Sequence, residues 1–177
     1  MKSTEVLEQF LQAHPHIEIF EVILHDLNGI HRGKWLPREQ IHKLFEGGYK
    51  MPQSSCSLDS WGRDLEQLVT ATGDTDGICT PHPETLAIVP WASRPTAQII
   101  VSMLNPDGLS DYPVDPRVVL QQVIARYTKL GLTPVVASEM EFHLLEINRD
   151  QFGRPEHTQR ALDGSPALGG ATYSIEA

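Results

Sequence analysis

Residues 134–147, PVVASEMEFHLLEI, place Glu139, Glu141 and His143 at alternate positions inside a run otherwise rich in Val, Phe, Leu and Met. Extended backbone turns successive side chains to opposite faces. The spacing therefore predicts a buried strand with these three groups on one side and Met140, Phe142 and Leu144 on the other. Two carboxylates about 7 Å apart on one strand face repel each other and raise each other's pKa in a dry site, unless cations neutralise them. Such oxygen donors suit hard divalent ions, Mg²⁺ or Mn²⁺, often shared with substrate phosphates. A solvated strand face at a sheet edge accounts for the same spacing, and both readings stand on the residues alone. His143 by itself reads as a packed or surface histidine rather than a third ligand.

The elements around this segment must position it. Asp115 caps a predicted helix with Pro116 at its first position; Val119, Leu120, Val123, Tyr127 and Leu130 form one face, and Gly131 ends it. With AQIIVSML before it and PVVASEMEFHLLEI after it, this helix suggests a strand-helix-strand unit. Upstream, TEVLEQFLQA at 4–13 has helical apolar spacing, with Ser3 or Thr4 available as its cap. IEIFEVILHDL and IHRGKWL read as two strands joined by a hairpin at Asn28-Gly29. Pro37 opens a helix over REQIHKLFE that Gly47 and Gly48 terminate. Residues 49–84 are rich in Ser, Asp, Gly and Pro, and read as a long functional loop. TLAIVPW and AQIIVSML are further strands, NPDG at 105–108 is a turn, and the final TYSIEA begins like another strand. The composition shift at NPDGLSDYPVD sets a boundary between a small first domain, 1–108, and the start of a second, 109–177.

The chain of 177 residues carries 14 Lys plus Arg against 23 Asp plus Glu, a formal charge of −9. That balance argues against nucleic acid or an anionic membrane as the main partner. There is no apolar run of bilayer length, and the start lacks a secretory core, so the expected location is cytoplasmic. Cys56 and Cys79 form no CxxC pair and read as reduced thiols. GIHRGK is one residue short of a Walker pattern, lacks its Ser or Thr, and sits in a hairpin. GDTDG lacks the remaining ligands of a calcium loop and reads as a turn. Arg32 and Lys34 are expected to be solvated or intersubunit residues. Trp35, Trp61 and Trp91 are expected in the core or an interface, since no basic stripe accompanies them.

SEMEFHLLE resembles the first metal-binding strand of the glutamine synthetase superfamily, where a Glu-x-Glu-Phe pattern gives one ligand to each of two divalent ions. DLNGIHRGKWLP, SLDSWG, GDTDGICTPHPETLAIVPWA and DPRVVLQQVIARYTKLGLTPVVASEMEF resemble further family segments, in family order, across nearly the whole chain. The form DLNGIHRGK is most similar to the glutamate-amine ligase branch, such as the γ-glutamylpolyamine synthetases. The resemblance implies an α+β architecture, an N-terminal β-grasp domain followed by the truncated start of the catalytic α/β domain. It implies that Glu139 serves the metal on the nucleotide phosphates and Glu141 the metal that positions glutamate. ATP would phosphorylate the glutamate side chain before an amine displaces phosphate. Asp59, which by itself reads as a turn aspartate, would bind and deprotonate the incoming amine or ammonium, acting across a subunit boundary in a homo-oligomer. Tyr173 would line the amine pocket.

The family's remaining metal ligands, and the arginines that grip ATP and glutamate, lie beyond the stretch matched here. The expectation is weak metal binding, no activity from these residues in isolation, and an unfinished second sheet whose edge must be covered, paired with another copy, or rearranged. Two alternatives stay open: a glutamine synthetase proper that uses ammonia, and a non-catalytic β-grasp assembly module with inherited carboxylates.

Overall fold

The computed structural model describes residues 2–159 and Gly164. Its backbone divides into two compact units, Met1–Pro134 and Val135–Ala177.

The first unit opens with helix α1 (Ser3–Ala13), which buries Leu7 and Leu11, one helical turn apart. Its cap is Lys2 rather than Ser3 or Thr4, and the Lys2 amide donates to the Glu5 carboxylate at 3.1 Å. Strand β1 (Ile19–His25) buries Phe20, Val22 and Leu24, and pairs antiparallel with β2 (His31–Pro37). Pro37 then precedes a 3-10 turn, Arg38–Gln40, and helix α2 (Ile41–Phe45), which Gly47 follows at φ 74°. The Arg38 guanidinium donates to the carbonyl of Leu11, which α1 leaves open in its last turn, and to those of His14 and Ile17 in the segment that follows.

Residues 49–84 depart from the expected loop. They hold β3 (Lys50–Pro52), a 3-10 turn (Gln53–Cys56), helix α3 (Glu66–Thr72), strand β4 (Asp76–Pro81) and the beginning of a further 3-10 turn (Pro83–Thr85). Such short elements take their order from register with a neighbour, as in Met51 opposite Gly77, and leave little local signal. The strand expected over TLAIVPW shrinks to β5 (Ala87–Ile88), while β6 (Thr96–Leu104) forms as expected. Strand order is β2-β1-β6-β4-β3, with β5 also on β6. β6 is parallel to β1 and antiparallel to β4, so it is bonded along its whole length. Its Ala97, Ile99, Val101 and Met103 join the buried cluster under α1 and α2.

Helix α4 (Pro116–Lys129) has the expected start, with the Asp115 carboxylate accepting from the Arg117 amide at 2.8 Å. The same carboxylate accepts from the Met103 amide at 2.7 Å and so ties the helix to β6. Its expected apolar face is not packed: Leu120 and Leu130 are exposed, and the buried residue is Val118. The three tryptophans are likewise 74% or more exposed, which corrects a core placement. Trp35 sits opposite Glu21, on the face of the sheet turned away from Phe20 and Val22.

In the second unit, no regular structure spans residues 135–144, and Val135, Val136, Met140 and Phe142 are exposed. The strand expected over 134–147 is thus reduced to β7 (Leu145–Arg149), paired with β8 (Pro155–His157) through a turn that Asp150 closes. A ladder needs a partner on at least one edge, and residues 135–144 have none among the described residues. The strand-helix-strand unit is therefore absent there, and TYSIEA lies outside the described residues. No described helix is long and apolar enough to cross a membrane.

Gly33 shows how tightly the first hairpin is drawn: a Cβ on it would fall 1.8 Å from the Val22 carbonyl oxygen. Gly33→Ala should therefore destabilise the chain by ~3 kcal/mol or more. Gly29→Ala, which meets open space but a φ of 74°, should cost only ~1–2 kcal/mol. Urea midpoints would rank the two, and equal midpoints would contradict the close approach.

Candidate functional site

The segment leading to Asp59 is anchored at its foot. Gln53 is buried; its side-chain amide donates to the Asn105 Oδ1 at 3.1 Å and its oxygen accepts from the Thr75 hydroxyl at 3.1 Å. Cys56 and Ser57 follow, also buried, and the chain then emerges into an exposed turn at 59–63. Burial pushes the thiol pKa values of Cys56 and Cys79 up, that of Cys79 to about 12, consistent with reduced, unreactive cysteines.

Asp59 organises the exposed turn. Its Oδ1 accepts from the Trp61 amide at 2.8 Å and the Arg63 amide at 2.9 Å, and its Oδ2 accepts from Arg63 Nε at 2.9 Å. The Asp59 amide in turn donates to the Arg63 carbonyl. The Arg63 amide above all, joined by its guanidinium and the Trp61 amide, outweighs desolvation and holds the Asp59 carboxyl below its ordinary value. The arrangement yields a persistent anion at the rim of the loop, with the 82% exposed Trp61 beside it.

The tip of the β1–β2 hairpin braces this loop. Asp26 is 1% exposed, and its Oδ1 accepts from the amides of Asn28 and Ile30 at 2.8 and 2.9 Å. Its Oδ2 takes Arg32 Nε at 3.0 Å and Arg32 Nη2 at 2.9 Å. Desolvation opposes this buried charge, but the two amides and Arg32 outweigh it and keep the carboxyl below its ordinary range. Arg32 is therefore engaged inside its own hairpin, which corrects the expectation of a solvated residue. From the tip, the Leu27 amide donates to the Cys56 carbonyl at 2.9 Å and Asn28 Nδ2 donates to the Leu58 carbonyl at 2.7 Å. Sequence reasoning saw Asn28 only as a turn former; no pattern marks a side chain that bonds across 30 residues.

Glu139 and Glu141 lie in the irregular, exposed stretch of the second unit. The alternation that would point both to one side requires a strand, which does not form there. His143 is exposed as well, in agreement with a surface reading. Among the described residues no group of three or more His, Cys, Asp or Glu could hold a metal ion. The donor chemistry of the glutamate pair fits a hard divalent cation, while the ligand number falls short. Tyr173 lies outside the described residues. An open groove of about 660 Å³ along β1 and β2 is lined by Glu21, His31, Lys34 and Trp35 among others, and its lining includes neither Asp59 nor the glutamate pair.

Comparison with known proteins adds to this geometry. Residues 113–177 match the family model of the glutamine synthetase catalytic domain. Gamma-glutamylputrescine synthetase PuuA of Escherichia coli K12 is 35% identical over 154 residues, covering 85% of this chain and 32% of that protein. A glutamine synthetase of Methanosarcina mazei is 29% identical over 159 residues, 88% of this chain and 33% of that protein. The GmaS/ADP complex in its first conformation superposes with a TM-score of 0.54 at 25% identity, over 70% of this chain and 26% of that one. The chain thus spans about a third of the length of the curated relatives it matches.

The Asp59 turn gives a pH signature. Its folded pKa lies below the ordinary 3.8, so the turn is complete above that value and is lost as pH falls through the depressed one. Amide chemical shifts of Trp61 and Arg63 should hold steady from neutrality to about pH 4 and move only below it. Arg63→Ala should move the Asp59 midpoint up toward 3.8. A midpoint above 3.8 in the unaltered chain would contradict the bonding described.

Proposed function

The chain belongs to the glutamine synthetase superfamily, and on that premise we propose that it is the N-terminal part of an ATP-dependent ligase joining glutamate to an amine. The observation that carries this reading is the likeness to the gamma-glutamylputrescine synthetase over 85% of the chain. The amide forms in two steps. A side-chain oxygen of glutamate attacks the γ-phosphorus of ATP, and the P–O bond to ADP breaks. The amine nitrogen then attacks the acyl carbon of γ-glutamyl phosphate, inorganic phosphate leaves, and the nitrogen sheds a proton.

Asp59 meets the amine as a cation. A carboxylate held anionic by three donors is a weak base but a good partner for an ammonium group, so its main role is to bind the protonated amine and lower its freedom. Proton acceptance by Asp59 is secondary, since its depressed pKa lowers its basicity. Glu139 would hold the divalent ion on the nucleotide phosphates and Glu141 the ion on glutamate; Mg²⁺ or Mn²⁺ there supplies charge neutralisation. Tyr173 would line the amine pocket. The division at 108/109 into a β-grasp domain and the start of the catalytic domain is part of the proposal. It is supported by the family match that begins at residue 113 and by β1 running parallel to β6 beneath α1. A cytoplasmic location and a ring-like homo-oligomer, in which the exposed 59–63 turn serves a neighbouring subunit's site, are further parts of the proposal. Ammonia in place of an amine remains the alternative acceptor.

The non-catalytic assembly module has one observation in its favour, the irregular and exposed backbone around Glu139 and Glu141. Kinetics on the full-length polypeptide separates the two. ADP release should require glutamate, a divalent ion and one member of a panel of amines or ammonia. Asp59→Asn should raise the KM for that acceptor ~10-fold or more. Glu139→Ala or Glu141→Ala should lower kcat by ~100-fold or more. Residues 1–177 alone should release no ADP above background. If no acceptor stimulates ADP release by the full-length protein, the ligase reading fails.

A further inference from the structure

We propose that Asn28 is a positioning residue for the amine acceptor, acting through the carbonyl of Leu58 on the loop that presents Asp59. The inference rests on the ligase reading above. Two bonds cross from the hairpin tip to this loop, and they differ in kind. Leu27 to Cys56 is backbone to backbone and fastens the buried side of the loop at 2.9 Å. Asn28 Nδ2 to Leu58 O, at 2.7 Å, is the side-chain bond, and it reaches the residue immediately before Asp59.

The tip itself is fixed. Asp26 takes four donors from within the hairpin, the amides of Asn28 and Ile30 and two nitrogens of Arg32. A buried carboxylate cannot give up such donors without a large desolvation cost, so the backbone that carries Asn28 is rigid. Among the described residues, the bonds shown for Asp59 stay within the turn itself: it bonds to Trp61 and Arg63, all within five residues. That turn keeps its internal form wherever it points. Its direction relative to the sheet is set by the Leu58 peptide, and Asn28 is the side chain that grips it. Losing one grip of this kind reorients a carboxylate without unfolding anything, because Asn28 is exposed and no core contact depends on it.

In the full-length enzyme, Asn28→Ala should raise the KM for the amine acceptor roughly five- to tenfold, with the KM values for ATP and glutamate held within about twofold. Asn28→Gln, which keeps an amide donor, should recover part of the loss. Hydrogen exchange at the amides of residues 59–63 should quicken in Asn28→Ala, while β1 and β6 keep their protection. Normal wild-type turnover with an unaltered amine KM in Asn28→Ala would overturn the role of Asn28, as would an equal rise in all three KM values. A wild-type enzyme with no acceptor-dependent turnover would instead overturn the ligase reading, and unchanged exchange at 59–63 would then refute the tie on its own.

Discussion

The parallel pairing of β1 with β6 is the constraint on which the first unit depends. Ile19 to Ile23 lie against Thr96 to Ile100, joining segments more than seventy residues apart. That one register decides which side chains share the buried face, because a shift by a single residue would put Phe20 and Val22 on the opposite face from Ala97 and Ile99. Everything between the two strands must return the chain to the same edge. The antiparallel hairpin, α2, and the β3–β4 pair are short enough to be carried along by that closure. Arg38 completes it from the other end by holding the Leu11 carbonyl of α1 and the His14 and Ile17 carbonyls that lead from α1 into β1.

Elements whose signal is local are legible in the sequence. α1, the hairpin around Asn28-Gly29, β6 and the Asp115-Pro116 start of α4 all announce themselves within a dozen residues, through periodicity or a cap. β3 and β4 do not, since a strand of three residues such as Lys50–Pro52 exists only by virtue of its neighbour. The same physics explains the opposite error. Residues 134–147 have the composition of a buried strand, yet composition states only what a segment could do beside a partner. With no ladder available among the described residues, Val135 and Phe142 face outward and the alternation of Glu139 and Glu141 loses its geometric meaning. The exposed stripe on α4 belongs with this: its spacing predicted the helix correctly and its burial incorrectly.

For the candidate site, residue type was legible and bonding was not. Asp59 stood out as an acidic residue in a Ser-, Trp- and Gly-containing loop, but either of its two readings, turn former or cation binder, fitted the letters. The structure shows the first, and the second is the proposed role. The same three donors that make Asp59 a turn former also keep it charged, and a charged carboxylate at a loop rim is what an ammonium group requires. A turn aspartate and a ligand for a cation are in this respect one arrangement, provided that Oδ2, which takes a single donor within the loop, keeps acceptor capacity for a second.

Asp26 then gives the loop its reference frame. A charge buried to 1% exposure is tolerable only while its donors stay in place, so the hairpin tip has few alternative conformations. Rigidity there is transmitted to whatever the tip touches, and the Cys56 and Leu58 carbonyls are what it touches. The turn with its exposed Trp61 is therefore not free to swing from its base: its foot is tied through Gln53 to Thr75 and Asn105, and its shoulder through Asn28 to the hairpin that holds the buried Asp26. A loop so anchored at two points, with the Asp59 carboxylate just past the second, can present a fixed charge without itself being part of a strand or helix.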